Sequence, residues 1–247
     1  MQRVLDIDLD FFVEDPVFWP PSEERCDPDE HPVWPESEVV AFLNERCGVT
    51  ARLPGFVTEN HGELFPLWRD AIEEGVLLPP FHVTHVDAHA DLGLGGSSFE
   101  YLMTSLLFES IADRQYPMIG DMGLNDGSHL AFAVACHWIS AIDYVFCEGA
   151  GNDLPRFLME GFDVDADHIQ LTALSLGELQ GLARGRYPNV TSLEPLVPLR
   201  PVPYRDFQAQ EPFDFICLTR SPPYTPVTAD PIFDLIRERY IDETPLI

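Results

Sequence analysis

The sequence predicts an α/β protein of three layers, with helices on both faces of a mostly parallel central sheet. Short apolar runs typical of buried strands alternate with longer segments of helical periodicity. Acidic residues directly follow several of these apolar runs. Such alternation is typical of parallel sheets covered on both sides. A length of 247 residues suits a single domain that spans 1–247.

Five runs are predicted to be strands, and six segments are predicted to be helices. The strand-like runs are RVLDIDLDF (3–11), FHVTHVDAH (81–89), AIDYVFC (141–147), HIQLTAL (168–174) and FDFICLTR (213–220). The helical segments are 37–46, 62–74, 100–112, 127–138, 175–184 and 229–241.

Two proline-rich segments interrupt this alternation. Prolines and acidic residues exclude regular structure from 13–37, where Phe18, Trp19 and Trp34 supply apolar surface. We interpret this segment as a functional loop or lid beside the first strand. The alternative that it packs its own aromatic rings on the sheet edge stays open. Segment 193–207 is predicted to be a connector that crosses the surface.

The charge balance favours a cationic ligand. The formal net charge is -28, from 42 acidic and 14 basic residues. Binding nucleic acid needs clustered cations, and an anionic membrane surface would repel this chain, so we expect neither partner. A strongly negative field attracts metal ions, arginine-containing peptides or polyamines.

All the basic residues are arginine, and the chain contains no lysine. This composition excludes a phosphate-binding loop of the Walker type and Schiff-base chemistry on an enzyme amine.

The cysteines and the amino terminus indicate a cytoplasmic protein. The five cysteines are widely spaced and form no C-x-x-C pair, so neither a disulfide framework nor a thiolate zinc site is predicted. The start MQRVLDIDLDFF lacks the pattern of a secretion signal, and no apolar run is long enough for a membrane-spanning helix.

Two acidic motifs at predicted strand ends indicate a metal site. Asp8 and Asp10 end the first run, and Asp87, His89 and Asp91 follow the run FHVTHV. Ligands of parallel α/β sheets bind beyond the carboxyl ends of the strands. A set this rich in carboxylates suits Mn²⁺ better than structural zinc. Five ligands are too many for one catalytic ion with an open position, so we predict two ions.

Histidines and a further acidic motif complete the search for ligands. We predict His61 as the sixth ligand, because it follows an apolar stretch on a turn before a helix. His129 opens a predicted helix and is a candidate proton relay or substrate contact. The other histidines, including His85, are interpreted as structural. Residues 163–167 carry three alternating aspartates before an apolar run, and we interpret them as a solvated turn.

These motifs resemble those of the ureohydrolase superfamily, which includes arginases and agmatinases. Asp87-Ala88-His89-Ala90-Asp91 matches its D-A-H-x-D loop, and Asp8-Leu9-Asp10 matches its D-x-D strand end. LDIDLDFF (5–12), ENH (59–61) and TRSPPYTP (219–226) are similar to a divergent arginase-like family that includes peptide arginases. The motif order differs from ordinary arginases, because D-x-D here precedes D-A-H-x-D.

The resemblance implies a three-layer αβα arginase-like fold with a permuted motif order and a pair of Mn²⁺ ions. It also implies conversion of arginine side chains in a ribosomally made precursor peptide to ornithine and urea. By the same resemblance Asp91 is a metal ligand that also transfers a proton to the leaving nitrogen. Glu148, Thr219 and Ser221 compete for the role of binding the guanidinium. Further candidates for supporting the ligands or contacting the substrate are Asp6, Asn125 and Arg220.

Other functions stay open at this point. A small-molecule ureohydrolase would act on arginine, agmatine or a guanidino acid. A deacetylase of the same broad fold would use a single zinc ion. An aspartyl phosphatase could begin with a D-x-D strand end, but such enzymes commonly use a lysine. A non-enzymatic metal-binding module is the remaining possibility. The sequence predicts no particular oligomeric state.

Overall fold

The structure is a computed structural model that describes residues 1–20, 22, 24–93, 98–147, 154–188 and 193–246. Its strands are β1 Arg3–Asp8, β2 Leu53–Thr58, β3 Phe81–Val86, β4 Ile139–Phe146, β5 His168–Ile169, β6 Val197–Pro203, β7 Phe215–Thr219 and β8 Ile241–Glu243. Its α-helices are α1 Glu36–Ala41, α2 Leu64–Glu73, α3 Ser98–Thr104, α4 His129–Ala135, α5 Leu176–Ala183 and α6 Asp230–Tyr240.

Within the described residues, eight strands form one sheet in the order β5-β6-β4-β3-β1-β7-β2-β8. Neighbouring strands run parallel except β5, which pairs antiparallel with β6. Strand β1 therefore lies inside the sheet, between β3 and β7. The α/β class and the mostly parallel sheet predicted from the sequence are confirmed.

Two apolar cores cover the two faces of the sheet. Helices α2, α3, α4 and α5 contribute to one core, and α1 and α6 contribute to the other. Side chains of β1 alternate between them, because successive residues of a strand point to opposite faces. Val4 packs in the first core, whereas Leu5 and Ile7 pack in the second. Asp6 and Asp8 consequently share the face of Val4, on the side of α2 and α4.

The structure corrects two predictions about the outer strands. Segment 193–207 is not a surface connector, since β6 occupies Val197–Pro203 and pairs with β4. The run HIQLTAL forms only the two-residue strand β5. Strands β2 and β8 were not predicted either. The described part of segment 13–35 is largely irregular, as expected, apart from isolated bridges that join Val13 to Val33 and Cys26 to Pro226.

In the part of the chain that the structure describes, none of the helices combines the length and apolar character needed to cross a membrane.

Candidate metal centre

Four neighbouring strands end at one place on the carboxyl edge of the sheet. Asp8 is the last residue of β1, and Asp87 directly follows β3. Ser221 lies two residues beyond β7, and His61 lies three residues beyond β2. Because these strands are adjacent and parallel, their ends bring the two acidic motifs together with His61.

One group of candidate ligands surrounds His61. Its Nδ1 lies 3.0 Å from Asp8 Oδ2, 3.2 Å from Asp87 Oδ2 and 2.9 Å from Asp91 Oδ2. All four side chains are buried. One imidazole nitrogen among three carboxylate oxygens is a donor set that could hold a divalent ion.

A second group surrounds His89 and shares Asp87 with the first. His89 Nδ1 lies 2.9 Å from Asp10 Oδ2 and 3.6 Å from Asp87 Oδ1. Asp87 thus directs one oxygen toward His89 and the other toward His61. A carboxylate shared in this way is typical of sites that hold two ions.

Several candidate ligand atoms are buried without a hydrogen bond. Among the described residues, His61 Nδ1, Asp10 Oδ2 and Asp87 Oδ2 have no partner of acceptable hydrogen-bond geometry, although other polar atoms lie close by. Buried polar atoms in folded proteins are almost always satisfied. Cations among these atoms would satisfy all three, so the residues fit a metal site.

The carboxylates of the two groups have perturbed and unequal pKa values. Burial and the charge of Asp87 raise the pKa of Asp8. Burial together with the charges of Asp8 and Asp87 holds the pKa of Asp10 well above its ordinary value. Burial also acts to raise the pKa of Asp87, but His85 and the other neighbouring histidines outweigh it and lower that pKa. The cluster therefore retains protons that a divalent cation would displace.

The pKa values of the two histidines among the candidate ligands are both raised. Burial lowers the pKa of His61, but Asp6 and Asp91 outweigh burial and hold it well above its ordinary value. The pKa of His89 is also raised, because Asp10 and Asp87 outweigh the effect of burial. These imidazoles compensate part of the carboxylate charge of the metal-free site.

The Asp6 carboxylate lies within hydrogen-bonding distance of three histidines, one of which is the candidate ligand His61. Its Oδ1 lies 3.2 Å from His61 Nε2, and its Oδ2 lies 3.0 Å from His85 Nδ1 and 3.3 Å from His129 Nε2. Each of these nitrogens can donate a hydrogen bond to the Asp6 carboxylate. Since His61 would present its other nitrogen to an ion, Asp6 is placed to orient this ligand.

His85, which the sequence interpretation treats as structural, lies in the Asp/His cluster. Its Nε2 lies 3.2 Å from Asp87 Oδ2 and 3.1 Å from the carbonyl oxygen of His89. Burial lowers the pKa of His85, but Asp87 and Asp6 outweigh burial and raise it to about 10. The sequence carried a usable signal, because His85 and Asp87 are two residues apart at the end of an extended run and so point to the same side.

His129 contacts both Asp91 and the Asp6 network. Its Nδ1 lies 3.3 Å from Asp91 Oδ2, and its ring stacks on His61 with the centroids 4.3 Å apart. His129 is fully buried at the start of α4. This position suits a relay through Asp91 better than direct contact with a substrate.

The remaining candidates differ in their relation to the cluster. The Ser221 hydroxyl donates to Asp8 Oδ2 at 2.5 Å. The Thr219 hydroxyl instead bonds that of Thr58, and Arg220 pairs with Glu59 and Asp230, so neither side chain is directed at the cluster. The Asn125 backbone N–H donates to Ser128 Oγ on the turn before α4. Glu148 lies outside the described residues.

Two residues at the site have left-handed backbone conformations. Asp91 has a φ of 48° and Ser221 has a φ of 46°. Non-glycine residues rarely adopt this conformation, and such strain concentrates at functional sites. The backbone thus holds both side chains toward the Asp/His cluster at a conformational cost.

The aspartates of 163–167 do not join the site. Asp163, Asp165 and Asp167 are exposed before β5, as a solvated turn should be. Asp167 forms an exposed group with Glu160 and His168. The buried Asp/His cluster at the ends of β1 and β3 is therefore clearly different from this acidic turn.

Comparison of the chain with protein-family models, with curated proteins and with solved structures finds no match in any of the three. The fold and the site define an α/β protein with a buried Asp/His cluster that could hold metal ions.

Proposed function

We propose that the protein is a binuclear manganese hydrolase that converts arginine side chains of a ribosomally synthesised precursor peptide to ornithine and urea. The observation that supports it most strongly is the position of Asp87, whose two oxygens face His61 and His89 separately. The proposal includes an arginase-like fold in which the D-x-D motif has moved to the first strand, β1.

Each ion would have its own ligands beside the shared Asp87. His61, Asp8 and Asp91 would hold one ion, and Asp10 and His89 would hold the other. This carboxylate-rich set suits Mn²⁺. Two bound ions would lower the pKa of water enough to supply a nucleophile at neutral pH.

The protein residues would bind the cation and move protons. Buried carboxylates attract a guanidinium and can orient its planar N–H groups. Asp91 would carry a proton to the leaving nitrogen, and His129 is near enough to exchange that proton with Asp91. Asp6 would keep the His61 and His129 rings in place through their Nε2 atoms.

A urea assay combined with mass spectrometry tests the reaction. Manganese-loaded protein would be incubated with arginine, agmatine and an arginine-containing peptide. We expect urea together with the loss of CH2N2 from the peptide arginine. Free ornithine or putrescine alone would favour the small-molecule ureohydrolase. Absence of urea from every substrate, with manganese bound, would contradict the reaction class.

The substitution Asp91→Asn tests the proton-transfer role. We expect turnover to fall at least about a hundredfold, since groups that transfer protons usually contribute this much. The measurement is the rate of urea release, with manganese content determined on the same sample. Near-normal turnover with both ions retained would remove this role from Asp91.

A further inference from the structure

His89 is the place where the metal centre approaches solvent. Its side chain is 17% exposed, whereas that of His61 is 2% exposed and that of Asp91 is 6% exposed. Its Nδ1 faces Asp10. Among the described residues, His89 Nε2 is buried without a hydrogen-bond partner, so the exposed part of this side chain is its carbon edge. A ligand that reaches the cluster on this side must pass beside the His89 ring.

Two aromatic rings flank His89 on this side. The Phe18 ring lies 5.3 Å from that of His89 between centroids, at an interplanar angle of 74°. The Tyr224 ring lies 5.1 Å from it, at 67°. Phe18 and Tyr224 are each only partly buried. They come from distant parts of the chain, yet both contact His89, the most exposed of the candidate ligands.

Hydrogen bonds join the segments from which the two rings come. The loop that carries Phe18 is closed at its base, where Trp34 N–H donates to the Phe12 carbonyl at 2.9 Å. Arg25, in the same loop, donates to the carbonyl of Thr225 at 2.8 Å and to Asp230 at 2.8 Å. The loop is therefore fastened to the segment that carries Tyr224. Walls fixed in advance reduce the entropic cost of binding a ligand.

The entrance combines aromatic faces with negative charge. The Tyr224 ring packs on His89, and His89 Nδ1 lies 2.9 Å from the buried carboxylate of Asp10. Neutral aromatic faces above buried carboxylates attract a planar cation more strongly than a neutral group of the same shape.

We propose that Phe18 and Tyr224 are specificity-determining residues that form the aromatic walls of the substrate-binding subsite and select a guanidinium side chain over its neutral isostere. The identity of the cation rests on the proposed function. The selection itself is a binding property that can be measured without turnover.

Calorimetry with two matched ligands tests this proposal. N-acetyl-arginine amide carries the cation, and N-acetyl-citrulline amide carries a neutral group of nearly the same shape. Binding would be measured on manganese-loaded protein at a temperature low enough for urea release to be negligible during the titration. We expect Phe18→Leu to weaken binding of the arginine ligand about 3- to 10-fold, a loss typical of a cation–π contact, and to leave the citrulline ligand unchanged.

Variants of Tyr224 and a control variant of Phe108 complete the experiment. Tyr224→Leu should reduce the preference for arginine in the same way, whereas Tyr224→Phe keeps the ring and should retain most of it. Phe108→Leu is the matched control, because Phe108 is exposed on a turn after α3. Manganese content and melting temperature would confirm that each variant is folded.

The outcomes separate this inference from the proposed function. Equal weakening of both ligands in Phe18→Leu, or no change in either, would overturn the selective role. A parent protein that binds the two ligands equally would overturn it as well. Urea release by the wild type, with unchanged ligand preference in both Leu variants, would contradict the inference alone. Normal selective binding without urea from any guanidine would contradict the proposed function alone.

Discussion

Asp87 joins the two halves of the candidate centre, because each of its oxygens faces a different histidine. Its neighbours Asp10 and Asp91 belong to one half each. A buried carboxylate without a bound metal ion is either protonated or paired with a cationic side chain. The raised pKa of Asp10 favours its protonated form, whereas Asp87 pairs with histidines that lower its pKa. Single substitutions should therefore remove the ions separately.

Asp10→Asn should reduce the manganese content from two ions per chain to about one. Asp10 contacts the His89 group, whereas the His61 group keeps all its carboxylates. The amide is a weaker ligand for Mn²⁺ than a carboxylate. The measurement is metal analysis after dialysis against manganese. Asp163→Asn, in the exposed acidic turn, is the control and should bind like the wild type; retention of both ions by Asp10→Asn would contradict the ligand assignment.

The six candidate ligands that were predicted from the sequence lie close together in the structure. Asp8, Asp10, Asp87, His89 and Asp91 belong to two motifs at strand ends, which a parallel sheet brings together. The same motifs offered Asp6 only as one candidate for supporting the ligands, and His85 was interpreted as structural. These two residues face each other across β1 and β3, and their pairing depends on strand order and register.

At the level of elements, the site depends on the order of the four strands β3-β1-β7-β2. His61 follows β2, so its position relative to Asp8 depends on close packing of β2 against β7. Strand β2 contains Pro54 and Gly55, and β6 contains three prolines, residues that usually argue against a strand. Beyond Leu199, the described part of β6 pairs with β4 alone, and its open side tolerates Pro201 and Pro203. Proline and glycine therefore concealed both strands in the sequence, and only the pairing of β6 explains how its prolines fit.

The direction of β5 shows a second limit of sequence interpretation. Ligands of parallel sheets bind beyond the carboxyl ends of the strands, and this rule separates the aspartates of 163–167 from the site because they precede an apolar run. Strand β5 is antiparallel, so that reason does not apply. Their exposure follows instead from the outer position of β5 in the sheet.

Gly55→Ala should lower the free energy of unfolding by about 3 kcal/mol or more, at the upper end of the usual cost of overpacking. A Cβ at this position would meet the carbonyl oxygen of Ile216 on β7 at 2.0 Å, so β2 and β7 would have to separate. The measurement is urea denaturation. Gly177→Ala on α5 is the control, since a Cβ there meets no atom within 4 Å. A stable Gly55→Ala variant would contradict the packing described for β2.

At the scale of the whole molecule, charge and metal binding are coupled. A net charge of -28 opposes compaction, and several carboxylates are concentrated in one buried cluster. The two apolar cores must offset this repulsion in the metal-free protein. Manganese would reduce it where it is strongest.

Manganese should therefore stabilise the protein more at mildly alkaline than at mildly acidic pH. In the metal-free protein, neighbouring carboxylates raise the pKa of His85 from 6.5 to about 10, so its contribution to stability is full below 6.5 and is lost as the pH rises toward 10. Ions must also displace the protons that the raised pKa of Asp10 retains, which is easier at higher pH.

The measurement is the melting temperature with and without manganese, from mildly acidic to mildly alkaline pH. At a fixed manganese concentration, about a hundredfold above the dissociation constant at neutral pH, each bound ion should add about 2.7 kcal/mol of stability. A manganese effect that does not change with pH would contradict the displacement of protons.

The most direct test of the central claim is the anomalous diffraction of a crystal grown with manganese. We predict two manganese peaks about 3.5 to 4 Å apart, one beside His61 and one beside His89, with the Asp87 carboxylate between them. A site without anomalous density, or a single peak that leaves Asp10 and His89 uncoordinated, would contradict the binuclear centre.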